Sequence, residues 1–576
     1  MHKRIIRREP KADAAHLPIE IPAVLRRIYA ARGIADPLQL DTGVERLLPP
    51  QRLGGLERAL DLLEQALTQG QRIVIVGDFD ADGATSTALM VRALRALGAP
   101  QVDYLVPNRF DFGYGLTPEI VAVAARQNPD LLITVDSGIA CLAGVAAARA
   151  HGMRVLVTDH HLPGAQLPEA DAIVNPNLPG DDFPSKHLAG VGVAFYLMVA
   201  LRARLRTTDW FTARDLPEPN LAQLLDLVAL GTVADVVPLD HNNRILVEQG
   251  LRRIRAGRCV PGISALLQVG KRNPARVVAS DLGFTVGPRL NAAGRLEDMA
   301  LGIECLLADD AQAALTMARQ LDELNRARRE IEADMKAQAL TALEALHLET
   351  GSLPTGLCVF DRAWHQGVIG ILAARLKESL HRPVIAFATA GDGEIKGSAR
   401  SVPGFHIRDC LEAVSTRHPG LIRKFGGHAM AAGLSLAEQD FTRFHAAFDT
   451  EVSRHLGAGD LQGVIHSDGE LQADELTLEL AEALRTAGPW GQHFPEPVFD
   501  GVFEVLSQRL VGDCHLKLTL RQAGRAGIDA IAFNQASIGD LTGRRVTLAY
   551  RVDANEFRGM TSLQLVVEYI EPVSEA

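Results

Sequence analysis

Short runs of consecutive Val, Ile and Leu recur through residues 71–176: RIVIVGD (72–78), VDYLVP (102–107), LLITVDSG (131–138), RVLVTDHH (154–161) and DAIVNP (171–176). Helical patterns lie between them, near 84–97, 117–127 and 139–151. Strands apolar on both faces that alternate with helices predict a doubly wound parallel α/β sheet. Residues 1–70 read as a mostly helical lead-in, with a Leu/Ala-rich segment over 56–67. Segments 188–205 and 220–237 read as buried helices, and a long charged helix is expected over about 310–347. A second α/β unit starts near Thr355 with GLCVFD, a helix over 367–379, PVIAFA and EIKGSAR, and runs to about 455. From about 464 the pattern turns β-rich: VFEVLSQRLV, CHLKLTLRQ, GIDAIAFN, RRVTLAYRVD and LQLVVEYIEP, with turn residues between them. Five such strands in about 100 residues predict a small closed barrel.

A chain of 576 residues exceeds one core, so three or four domains are expected. A hydrophobic fraction of 47% with 22% charged residues excludes a disordered tail or a fibre. The longest uncharged apolar stretch, about 188–201, falls short of the ~20 residues that span a bilayer. The N-terminus is basic without an apolar core behind it, so no signal peptide is expected. Six Cys without a CxxC pair read as reduced, cytoplasmic thiols. A net charge of −11 speaks against nucleic acid, but distribution matters more. Residues 252–295 hold nine Lys/Arg against Asp281 alone, which predicts a local positive path.

The chemistry lies at strand ends. GDFDADG places Asp78, Asp80 and Asp82 at alternate positions directly after a strand. An EF-hand calcium loop would need an acid at the twelfth position and a preceding helix; the twelfth position is Leu89 and a strand precedes. Asp136 ends another strand, and Asp159, His160 and His161 end a third. In a doubly wound sheet these ends converge on one edge. Carboxylates with imidazoles suit Mn2+ or Mg2+, and several carboxylates together suggest two ions with a bridging ligand. Asp235, an acid inside the apolar LVALGTVADVVPL, is a further candidate.

GDFDADGATS, VDSG, TDHH and GTVADVVPL, in that order, resemble the DHH phosphoesterase superfamily. GPRLNAAGR (287–295), WHQGVIGI (364–371), GSARS (397–401), FGGHAMAAG (425–433) and NEFRG followed by LQLVVEYIEP (555–572) narrow the resemblance to its bacterial single-strand-specific 5′→3′ DNA exonucleases. The similarity covers about 50–572. It implies a helical lead-in (1–70), a DHH catalytic domain (71–240), a basic segment with a long connecting helix (241–350), a DHH-associated α/β domain (351–455) and an OB-like nucleic-acid-binding barrel (464–576).

The same resemblance implies metal ligands at Asp80, Asp82, Asp136, His160 and Asp235, with Asp136 bridging two divalent cations, Mn2+ or Mg2+. Asp78 would ligate directly or support those that do. Catalysis falls to Asp136, to Asp159 orienting the His pair, and to His161 facing the scissile phosphate or completing one ion's ligands. Substrate contacts are expected at Arg109, Tyr114, Arg289, Asn291 and Arg295, and in the second α/β unit at His365, Ser398, Arg400 and His428. Arg109, Ser398 and Arg400 would form a pocket for a 5′-phosphate. Metal-activated water would release 5′-mononucleotides from single-stranded DNA in recombination and repair. A single-stranded-DNA-binding protein and a RecQ-type helicase are the implied partners, with no membrane association and a monomeric chain. The alternatives are a DHH phosphodiesterase acting on nanoRNA or cyclic dinucleotides, usually shorter and without the tail, and a non-catalytic single-strand-binding protein, which should have lost a strand-end acid.

Overall fold

The computed structural model describes residues 3–107, 115–350, 353–457, 459–522, 525–557 and 559–573. The chain forms two compact units. One comprises residues 7–325 and 467–576, the other residues 1–6 and 326–466.

In the first unit a five-stranded parallel sheet is built from β1 (Arg72–Val76), β2 (Gln101–Leu105), β3 (Leu131–Val135), β4 (Arg154–Thr158) and β5 (Ala172–Val174), in the order β2-β1-β3-β4-β5. Every residue of β3 is buried, as a strand covered on both faces must be. Period two sorts the side chains. Ile73, Ile75, Leu131, Ile133 and Leu156 join one core with Leu63 and Leu197, from the helices Leu56–Gln69 and Gly190–Thr207. Val76, Leu132, Val155 and Val157 join another with Ile120 and Val145, from the helices Pro118–Ala125 and Leu142–Ala150. The chain leaves β1 towards β2 and returns to β3 on the other side. The order therefore reverses between β1 and β3, where open α/β sheets bind ligands.

Residues 241–307 are helical, over His241–Arg255, Pro261–Val269, Gly287–Leu296 and Ala300–Leu307. The charge count had hidden their amphipathic faces. The expected long helix spans Ala311–Thr350.

The tail closes a barrel from β11 (Phe499–Val511), β12 (His515–Gln522), β13 (Arg525–Ala532), β14 (Arg545–Phe557) and β15 (Met560–Pro572), in the order β11-β12-β13-β15-β14; strands β6–β10 belong to the second unit below. Closure comes from a parallel pairing of β13 with β15, Ala530 opposite Leu565. The barrel core is continuous with the sheet core. Arg32, from the lead-in, donates to both carboxylate oxygens of buried Asp468, and Leu239 N donates to Gln492 O. The lead-in, the sheet and the barrel thus share one interior.

The second unit holds β6 (Leu357–Phe360), β7 (Val384–Gly391), β8 (Glu394–Arg400), β9 (Lys424–Gly427) and β10 (Ala431–Ala437), in the order β9-β10-β8-β7-β6. Only β6 and β7 pair in parallel. No helix of the described residues is long and apolar enough to cross a membrane.

Candidate metal centre

The acidic loop after β1 leads directly into the helix Ala81–Ala96, and Asp80 caps it by accepting from Gly83 N at 3.0 Å. Asp82, in the first turn, is buried and accepts from the amides of Gly190 (2.6 Å) and Val191 (3.0 Å), the opening residues of another helix. Both helix N-termini therefore point positive ends at the acids. Asp136 follows β3 at once and adopts φ +59, a left-handed conformation that Asp tolerates better than most residues. A Cβ on Gly190 would lie 2.6 Å from the Cβ of Asp136, so only glycine lets this helix start so close to the carboxylate.

Asp159 carries four hydrogen bonds. Its Oδ1 accepts from His160 N (2.7 Å), His161 N (3.0 Å) and His161 Nδ1 (2.8 Å), and its Oδ2 accepts from Ile139 N (2.9 Å). Burial pushes this carboxyl up, but the His161 ring and these donors win and hold it below the usual range. It holds the His161 ring and the backbone amides of both histidines. Asp235 ends the helix Leu225–Ala234 and brings its carboxylate to the same place.

The donor atoms of Asp78, Asp80 and Asp136 all lie within 4.8 Å of one another; so do those of Asp136, His160 and His161, and those of Asp82, His160 and Asp235. His160 Nε2 stands 3.1 Å from Asp136 Oδ1 and 3.5 Å from Asp235 Oδ2. Neither Nε2 nor Asp136 Oδ1 has a hydrogen-bond partner, although both are buried. Burial lowers His160 to about 4, so its imidazole is neutral and offers a lone pair. Burial, then the neighbouring carboxylates, raise Asp136 and Asp235 well above the ordinary range and Asp82 to about 7. Alone, the centre has to hold protons against its own repulsion. Buried, unpartnered oxygen and nitrogen donors in this density are what hard divalent cations take. The expected metal residues thus meet in one place.

The other expected site residues divide. Arg109 and Tyr114 lie outside the described residues. Arg289 is corrected: it is buried and donates to Asp322 Oδ1 at 3.0 Å and to Thr285 O, so it is not a surface phosphate contact. Much of the basic segment is likewise matched by acids, several of them from beyond it. Arg252 and Arg255 bind Glu248, Arg272 binds Asp281, and Arg276 binds Glu482. Asn291 turns its Oδ1 to Ala81 N at 2.8 Å. A Cβ on Gly294 would meet the carbonyl of Phe79. GPRLNAAGR therefore braces the acidic loop, a role the motif alone did not disclose. Arg295 is half-buried at the end of the same helix.

In the second unit Arg400 Nη1 donates to Ser398 Oγ at 3.1 Å and to Ala399 O, and no carboxylate pairs with it among the described residues. A Cβ on Gly370 would come within 3.0 Å of both Arg400 Nη2 and Ser398 Oγ, so glycine leaves that corner open. His365 Nδ1 accepts from Gly367 N at 3.1 Å. His428 is exposed in the turn of the β9–β10 hairpin.

Three family models match the chain: the DHH family N-terminal domain over 72–232, the DHHA1 domain over 354–454 and the RecJ OB domain over 467–569. The chain is 58% identical over 571 residues to the single-stranded-DNA-specific exonuclease RecJ of Dickeya dadantii, and 56% identical over 571 residues to that of Escherichia coli; each alignment covers 99% of both chains. Among solved structures it resembles Thermus thermophilus RecJ in complex with Mn2+, with TM-score 0.80 and 31% identity over 100% of this chain and 80% of that one. The Mg2+ complex gives TM-score 0.75 and 29% identity over 100% and 78%.

Proposed function

The chain belongs to the RecJ family of single-stranded-DNA-specific exonucleases, and from that membership and its acidic centre we propose that it hydrolyses unpaired DNA with two divalent cations, Mn2+ or Mg2+. The observation that carries this reading is the pair of buried, unpartnered donors, Asp136 Oδ1 and His160 Nε2, 3.1 Å apart among carboxylates. Asp80, Asp82, Asp136, His160 and Asp235 would hold the ions, with Asp136 shared and Asp78 beside them. When bound, the ions supply an acidified water for in-line attack on phosphorus and neutralise charge on the leaving 3′-oxygen.

The residues do the positioning. The amides of Gly190 and Val191 fix Asp82. Asp159 engages Nδ1 of His161 and fixes the ring beside the acids, where it would face the scissile phosphate. Burial opposes a charge on His161, but Asp159 and the nearby acids raise its pKa, so the ring keeps its proton more readily and is suited to a charge-assisted hydrogen bond to a phosphate oxygen. Polarity is assigned to a 5′-phosphate pocket using Ser398 and Arg400 of the second unit; burial leaves Arg400 with little water to satisfy it. This reading makes the products 5′-mononucleotides and the setting DNA recombination and repair. It also keeps the five-domain division of the sequence, a monomeric cytoplasmic chain, and a single-stranded-DNA-binding protein and a RecQ-type helicase as partners.

Single strands labelled at either end test it. Loss of nucleotides from the 5′ end, dependent on Mn2+ or Mg2+ and stopped by chelator, is the expected result. Digestion from the 3′ end would overturn the pocket, and chelator-resistant digestion would overturn the metal centre.

A further inference from the structure

Residues 279–296 are helical throughout, with a five-residue π turn at Leu282–Val286. The cause is local. Pro288 has no N–H; in an α-helix that group would bond the carbonyl of Phe284, four residues back, and the proline ring crowds the same carbonyl. The chain widens instead, and Gly287 N closes the turn on Leu282 O. The wide turn sorts its side chains. Leu282, Thr285 and Val286 are buried, whereas Phe284 is 78% exposed, more than any other large apolar side chain among the described residues.

The turn lies against the end of the helix that delivers Asp235. A Cβ on Gly283 would stand 3.2 Å from Val233 Cγ1, and one on Gly287 would stand 3.2 Å from Ala234 Cβ. Those are the two residues before Asp235. Val236, directly after it, is 62% exposed and holds φ +62, an outlier for a β-branched residue. An exposed aromatic ring and an exposed branched side chain therefore accompany one ligand of the metal centre. A Phe left in water forgoes the burial that would otherwise favour the fold.

We propose that Phe284 is a stacking platform for an unpaired base of the DNA strand entering the metal centre, a positioning role that rests on the exonuclease reading above. Each base has a π face, so such a platform tolerates any sequence. In a duplex that face is covered by its neighbours in the stack and the base is held in its pair. Phe284 thus selects for unpaired strand next to the reacting phosphate, without touching the reacting atoms.

The test compares an ordinary single strand with one carrying base-less residues near its 5′ end, in the full-length protein with Mn2+. Phe284→Ala should raise KM for the ordinary strand about tenfold, with kcat and Mn2+ affinity unchanged. It should change nothing for the base-less strand, and Phe284→Trp should behave as wild type. Equal loss on both strands, or no loss on the ordinary strand, would overturn the proposal. Binding of both strands in chelator repeats the comparison without turnover. If wild type fails to digest the ordinary strand, the exonuclease reading fails, and this binding comparison still decides the role of Phe284.

Discussion

Asn291 Oδ1 accepts a 2.8 Å hydrogen bond from the amide of Ala81, 210 residues earlier in the chain. That amide sits between Asp80 and Asp82, so one side-chain amide sets the pitch of the acidic loop. Asn291→Ala should weaken Mn2+ binding about tenfold, as loss of a group supporting metal ligands does, with a stability loss of about 1 kcal/mol. A Mn2+ titration followed by electron paramagnetic resonance reads the affinity, and wild-type binding would refute the bracing role.

Asp136 is best tested as Asp136→Asn. Its φ of +59 strains an alanine, so Asp136→Ala would mix lost ligation with backbone cost; asparagine accepts that conformation. Asp136→Asn should lower kcat by on the order of 10²–10³. The metal-free variant should melt higher than wild type at pH 7, because a repelling buried acid has gone. Near-wild-type turnover would exclude Asp136 as a shared ligand.

Metal loading should depend on pH. Asp82 is raised to about 7, by burial first and then by Asp80, so an ion entering near neutrality displaces a proton. Apparent Mn2+ affinity should fall as pH drops from 8 to 6, steepening below 7, and calorimetry in buffers of different ionisation enthalpy should report proton release. The metal-free protein should show the opposite sign. A carboxyl whose pKa is higher folded than unfolded costs stability as pH rises from about 4 to its folded value, so melting temperature should fall across about pH 4–7. A flat profile in both measurements would contradict the burial of these acids.

Arg289→Ala should unfold the protein more readily without acting on DNA directly. It takes from buried Asp322 its ion pair with Arg289 Nη2 at 2.8 Å, a loss of about 1.5–3 kcal/mol. Thermal denaturation measures it. A stable variant whose strand binding has lost salt dependence would restore Arg289 to the phosphate path.

Removing residues 467–576 should destabilise the remainder. The barrel core continues into that of the sheet, and Arg32 would lose Asp468. Broadened or absent cooperative melting after truncation is expected; a sharp wild-type transition would show that the barrel is separable.

The sheet, the barrel and the acidic centre were legible because each rests on local signals. All-apolar runs specify covered strands, alternation specifies barrel strands, and an acid after an apolar run lands on the sheet edge. Arg289 and the basic segment misled for the complementary reason. Asp322 and Glu482, which neutralise Arg289 and Arg276, lie 33 and 206 residues away in sequence, beyond any window that counts charge. Asn291 was found as part of a motif, but its bond to Ala81 was not, because nothing near it in sequence discloses Ala81. The π turn was equally hidden, although Pro288 holds its cause.

The candidate ligands are spread between Asp78 and Asp235, on loops and helix ends, with Asn291 farther on. A ribosome that has released the chain through His161 has exposed a cluster of acids with neither Asp235 nor the Asn291 brace to complete it. High contact order makes such a site one of the later features to form. A cation captured early would meet an open, mismatched set of carboxylates, so the protein has to finish this unit before it can load its metal, and nuclease activity is withheld from the half-made chain.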